Sequence, residues 1–173
     1  MAACFMAAGA HAPPTQPLSS MVADYRLISS TTAPDGNWRF TKARLAVSRL
    51  DDRHLLIRMA CEWEDSPKEA CGDWWTAQMR NDGLYLQDTN TESLAMRFDP
   101  ATRTWTLIRH GYDVAGTVRT DVFGVDEQPD TDPALMRRMK KAQSSFDASI
   151  KVKSFGHYSK WDYKRAQISS SAK

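Results

Sequence analysis

The sequence predicts a mainly β fold (α+β): an antiparallel meander forming a small barrel or a sandwich, with one C-terminal helix near residues 133–147. Three observations carry this. Leu55, Ile57, Met59, Cys61 and Trp63 alternate without a break with Leu56, Arg58, Ala60 and Glu62. Period two is the strand signature, because successive strand side chains point to opposite faces. Short apolar runs of this kind recur along the chain, separated by turn-forming clusters. After Val125 the pattern changes to helical spacing.

The elements follow in order. Residues 1–23 read as a leader with a flexible lead-in. Met1–Ala10 is small and mostly apolar, and Ala10-His11-Ala12 has the small-x-small form of a signal-peptidase site. Tyr25-Arg26-Leu27-Ile28 is a candidate edge strand. Ala33-Pro34-Asp35-Gly36-Asn37 is a turn, since proline pre-sets one backbone angle and glycine permits a positive one. Trp38, Phe40, Leu45 and Val47 mark the next strand, joined to the Leu55–Trp63 stripe by the polar link Arg49–Arg53. Trp74–Met79, Leu84–Leu86, Leu94–Phe98, Trp105–Ile108 and Thr117–Val125 complete the strands. Asn81-Asp82-Gly83, Asp88–Thr91 and Asp99–Arg103 supply turns.

Asp132-Pro133 is a helix start, with Asp as N-cap and Pro at the first helical position. Leu135, Met136, Met139, Ala142 and Phe146 then fall at helical spacing, with Arg137, Arg138, Lys140 and Lys141 between them. The β-rich domain with its helix is placed at 24–150, and 151–173 is a basic aromatic tail holding Phe155, Tyr158, Trp161 and Tyr163.

Composition narrows the class. Hydrophobic content of 42% and charged content of 25% exclude wholesale disorder. No apolar run is long enough for a transmembrane helix. The net charge of +2 hides an asymmetry: residues 134–173 hold ten Lys or Arg against only Asp147 and Asp162, so the remainder is net acidic. A basic tail with interleaved aromatics suits nucleic acid, but no binding motif accompanies it, and packing over the acidic domain is the preferred reading.

Cysteine usage indicates compartment. With the leader removed, Cys4 leaves and Cys61 and Cys71 remain as an even pair. A disulfide between them would close the short loop 62–70 and implies the periplasm or secretion. There is no Cys-x-x-Cys and no paired His, so no metal site or cofactor is expected. His11, His54, His110 and His157 are scattered, and no nucleophile elbow accompanies them. The acidic stretch Asp126, Glu127, Asp130, Asp132 lacks the register of a calcium loop.

These features point to a non-enzymatic periplasmic or envelope binding protein of the inhibitor or toxin-immunity type, with a protein as partner. The expected binding surface is Glu62, Glu64, Asp65, Glu69 and Asp73 with Trp74 and Trp75, because a rigid loop presenting aromatics among charges suits a hot spot. Two alternatives remain: a small secreted hydrolase using loop carboxylates, and a carrier of a small apolar ligand inside a barrel.

Overall fold

The computed structural model describes residues 17–34, 36, 38–52, 54–67, 71–79, 84–87, 94–110, 116–128 and 131–151. The leader 1–12, the Asn81–Gly83 and Asp88–Thr91 turns, Glu69 and the tail 152–173 lie outside the described residues.

Eight strands follow one another around a closed barrel: β1 (Ala23–Ala33), β2 (Phe40–Arg49), β3 (His54–Trp63), β4 (Cys71–Met79), β5 (Leu84–Gln87), β6 (Leu94–Asp99), β7 (Thr104–His110) and β8 (Val118–Val125). Every neighbouring pair is antiparallel, and β8 returns to pair with β1. The meander is therefore a barrel and not a sandwich. Closure also corrects the expectation of an edge strand at the start. β1 is the longest strand and is bonded on both sides, because closing the sheet removes its free edges.

The stripe of the third strand behaves as its period requires. Leu45 faces Met59, Val47 faces Ile57, and Ile57 in turn faces Trp75 on the next strand. The lumen face thus carries Tyr25, Leu45, Leu55, Ile57, Trp75, Met96, Trp105 and Phe123, all fully buried. Burying such side chains supplies about 1.5–3 kcal/mol each relative to exposure.

The other face of β3 and β4 is buried too, beneath α1 (Pro133–Lys151). Arg138 donates to the carbonyl of Cys61, Arg58 bonds Gln143, and Trp74 meets Phe146 edge-on at 5.0 Å. A Cβ on Gly72 would stand 3.0 Å from the Arg138 carbonyl oxygen, so glycine permits this close approach of strand and helix. The helix starts as expected: the Asp132 carboxylate accepts the N–H groups of Ala134 (2.9 Å) and Leu135 (3.3 Å). It runs past the expected end at Asp147 to Lys151.

Part of the stretch read as a flexible lead-in is ordered. Leu18–Met21 is a 3-10 turn whose two apolar side chains are buried. The Tyr25 hydroxyl donates to the Met21 carbonyl at 2.7 Å, holding this turn to the barrel. The turn after β6 is an Asx turn: Asp99 accepts the Ala101 N–H and the Thr102 hydroxyl, and Arg103 takes a left-handed φ of 53°. No described helix is long and apolar enough to cross a membrane.

Candidate functional site

The barrel has two unlike ends. At the end where β1 begins and β8 finishes, the 3-10 turn Leu18–Met21 packs its buried residues into the core. At the other end β3 and β4 are closed by the disulfide. Cys61 and Cys71 are directly paired across the ladder, bonded through their sulfurs, with Cα atoms 4.9 Å apart. That spacing suits a cross-strand bridge.

Two residues beyond this bridge stands Asp73. Gly72 and Trp74 both touch the helix, so Asp73 and Trp75 point into the lumen. The Trp75 indole N–H reaches the Met96 sulfur on β6 at 3.4 Å, across the interior. Trp75 is buried, yet Asp73 is exposed to solvent. Water therefore reaches the lumen face of β4 at the disulfide end.

The same end of the lumen carries charge. Arg119 on β8 is 2% exposed. Its guanidinium lies 4.5 Å from the Trp38 ring centre, 4.1 Å from that of Phe40 and 4.8 Å from that of Trp63. A cation among three aromatic faces is held by their quadrupoles. Its Nε donates to Asp121 at 2.9 Å, and the Ser30 hydroxyl donates to the same carboxylate at 2.6 Å. Ser30 in turn accepts the Phe40 N–H at 3.0 Å, which ties β1, β2 and β8 together. Burial pushes the Asp121 carboxyl above its ordinary value, against the pull of Arg119, Ser30 and the more distant Arg109. The opposite half of the lumen is apolar. The interior thus grades from hydrocarbon to a partly wet, charged mouth.

Of the residues singled out from the sequence, Glu69 lies outside the described residues. Glu62 stands 3.9 Å from Lys42, and Glu64 is ion-paired with Arg39. Asp65 is exposed. Asp73 faces the lumen and accepts the Trp74 N–H at 2.8 Å. Trp74 and Trp75 are 5% and 1% exposed, one under the helix and one inside the barrel. Neither ring is offered at the surface, because the helix covers Trp74 and the barrel interior holds Trp75. Missed altogether were Arg119 and Asp121. Their signal was present: Arg119, Asp121, Phe123 and Val125 share one face at period two, placing two charges on an apolar register.

His54 and Asp51 form a second buried polar pair, with the ring Nδ1 2.7 Å from the carboxylate. Asp51 also accepts the His54 N–H at 2.8 Å, so the pair knits the β2–β3 hairpin. Among the described residues no three His, Cys, Asp or Glu side chains converge as metal ligands do.

No family model matches the sequence, and no curated protein sequence does. Solved structures resemble it at a distance. The siderocalin Ex-FABP gives a TM-score of 0.47 at 12% identity, over 73% of this chain and 87% of that one. The S-type phycobiliprotein lyase CPES from Guillardia theta gives 0.44 at 11% identity, over 65% and 92%. An odorant-binding protein from bovine nasal mucosa gives 0.44 at 16% identity, over 76% and 86%. At these values the assignment as a barrel rests on the strand order and register described above.

Proposed function

We propose that this protein carries one small apolar or amphipathic molecule in the lumen of its barrel, in the periplasm or outside the cell. One observation supports the reading: the lumen face is mostly hydrocarbon, with Leu18 and Met21 buried at one end and Asp73 exposed to solvent at the other. Eight-stranded barrels have an interior that either fills with side chains or holds one small ligand. The solvent-exposed lumen position favours the second. The Cys61–Cys71 bridge favours an oxidising compartment. The blocking protein expected from the sequence loses its aromatic anchors, since Trp74 and Trp75 are buried.

Titration of the full chain with N-phenyl-1-naphthylamine tests this, with alkanols and fatty acids of graded length as competitors. Saturable one-to-one enhancement, reversed by the competitors, is the expected result. Met59 lines the lumen and is 7% exposed. Met59→Trp should fill space there and weaken probe binding at least tenfold. Absence of saturable binding, or equal binding by this variant, overturns the reading.

A further inference from the structure

A cavity opens in the barrel wall between β1 and β2. The β1–β2 ladder runs only from Ala23↔Val47 to Arg26↔Arg44, although both strands continue beyond it. Each strand is irregular where the ladder stops. β1 shifts register between Leu27 and Ser29, and β2 between Phe40 and Lys42. Paired irregularities splay the two strands, and bulges commonly re-aim side chains beside a site. Asp126, Gln128, Thr131 and Asp132, between β8 and α1, close over the gap. The result is a half-open pocket of about 380 Å³ lined by Arg26, Leu27, Lys42, Ala43, Arg44 and Leu135, with Asp126 and Asp132 on the roof. That volume lies at the lower end of the range for small-molecule sites.

The charges in this pocket are not equivalent. Arg44 and Asp126 are ion-paired at 2.9 Å, with side chains only 10% and 6% exposed. Lys42 and Asp132 are paired at 3.2 Å, and Asp132 is further engaged by the two helix N–H groups. Both carboxylates are thus locally compensated. Arg26 is exposed, and among the described residues no ion pair or hydrogen bond engages its side chain. Leu27, Ala43 and Leu135 add hydrocarbon to the lining. The pocket therefore offers one surplus guanidinium beside a small apolar surface.

We propose that this wall pocket binds a small organic anion, a single carboxylate on a short apolar body, with Arg26 meeting the carboxylate. A guanidinium presents two parallel N–H donors that match the two carboxylate oxygens. The body lies against Leu27, Ala43 and Leu135. Arg44 and Lys42 stay with their own acids, which leaves the charge of Arg26 for the anion. The site opens on the outer wall at Arg26, and the proposal does not depend on the lumen taking a ligand.

The test uses the full chain, with binding followed by amide chemical shifts and calorimetry. The probes are hexanoate, phenylacetate, their methyl esters and inorganic phosphate. Both carboxylates should saturate, with shifts centred on Arg26, Lys42 and Leu135, and the esters and phosphate should bind at least tenfold more weakly. Arg26→Gln should weaken carboxylate binding at least tenfold, and Arg26→Lys should restore part of it. Both variants should keep the wild-type melting temperature and the wild-type affinity for N-phenyl-1-naphthylamine. The proposal is overturned if the carboxylates do not bind, if Arg26→Gln binds them as wild type does, if the shifts centre on lumen residues, or if phosphate binds as tightly. Loss of naphthylamine binding alone would count against the lumen and leave this pocket standing.

Discussion

Reducing the Cys61–Cys71 bridge should lower the melting temperature by several degrees while the barrel stays folded at room temperature. The bridge spans a sequence separation of 10 residues. Closing a loop of that length removes about 9 cal/mol/K of entropy from the unfolded chain, worth about 2.7 kcal/mol at 25 °C. A chain of this size shifts by about 2–4 °C per kcal/mol, so the expected drop is about 5–11 °C. Cys61 is fully buried and its neighbour on β4 is Cys71 itself, so reduction leaves the strand pairing in place. Thermal melts followed by circular dichroism, with and without a phosphine reductant, read this directly. The double variant Cys61→Ala with Cys71→Ala should fall somewhat further, because it also deletes buried sulfur. A reduced protein melting within about 2 °C of the oxidised one would show that the cross-link does not restrict the unfolded state as argued.

The remaining expectations concern three charged side chains. Arg119→Ala strands the Asp121 carboxylate and should cost about 3–5 kcal/mol in urea unfolding, whereas replacing Arg119 by Met and Asp121 by Leu together should recover most of that loss. Equal losses in the two would refute the buried-pair account. Because the folded-state value of Asp121 is raised, the native protein binds its proton more readily than the unfolded chain. Its contribution to stability is therefore fully present below the unfolded value and is lost as pH rises through the folded one. Wild type should gain stability relative to Asp121→Asn as pH falls from neutrality toward about 4, and parallel pH profiles would contradict this. Asp132 has the opposite sign: its N-cap bonds hold the carboxyl below the usual range, so its contribution is present above the unfolded value and fades as pH falls through the folded one. Asp132→Ala should lose about 1 kcal/mol at neutral pH by urea titration. A loss that is unchanged in strong acid would be inconsistent with capping by the ionised form.

The architecture was legible where local chemistry and global fold agree. The Leu55–Trp63 stripe is a strand because its period is two, and Asp132-Pro133 starts a helix because the side chain caps it and proline needs no donor there. Barrel and sandwich share those local signals. What separates them is the return of β8 to β1, set by pairing between residues nearly a hundred positions apart, such as Ser30 and Asp121. No window of sequence contains that information. The order at Leu18–Met21 was hidden for a related reason: two apolar residues among Pro and Ser form a plug only when a barrel end is there to receive them.

The burial of both β4 tryptophans was not legible in the sequence, because it turns on which faces are covered. Trp74 and Trp75 are adjacent, so a strand must send them to opposite sides. With one side of the sheet wet, one tryptophan would be available to a partner, and the acidic loop beside it would complete a hot spot. The helix removes that option by covering the outer face, and the clue lay in the sequence as Gly72, which lets the Arg138 backbone approach. Two-sided burial turns an alternating stripe into a nearly continuous apolar run, as β3 shows with Leu55, Leu56, Ile57, Met59, Ala60 and Cys61 all buried. A charge on such an element then carries information. Asp73 on the lumen side of β4, and Arg119 with Asp121 on the lumen side of β8, are charged residues on faces otherwise given to hydrocarbon. Asp73 is exposed, and the other two are buried and paired. The exposed Asp73 sets the disulfide end of the lumen face apart from the buried residues of the opposite end, and it is the feature on which the proposed carrier reading rests.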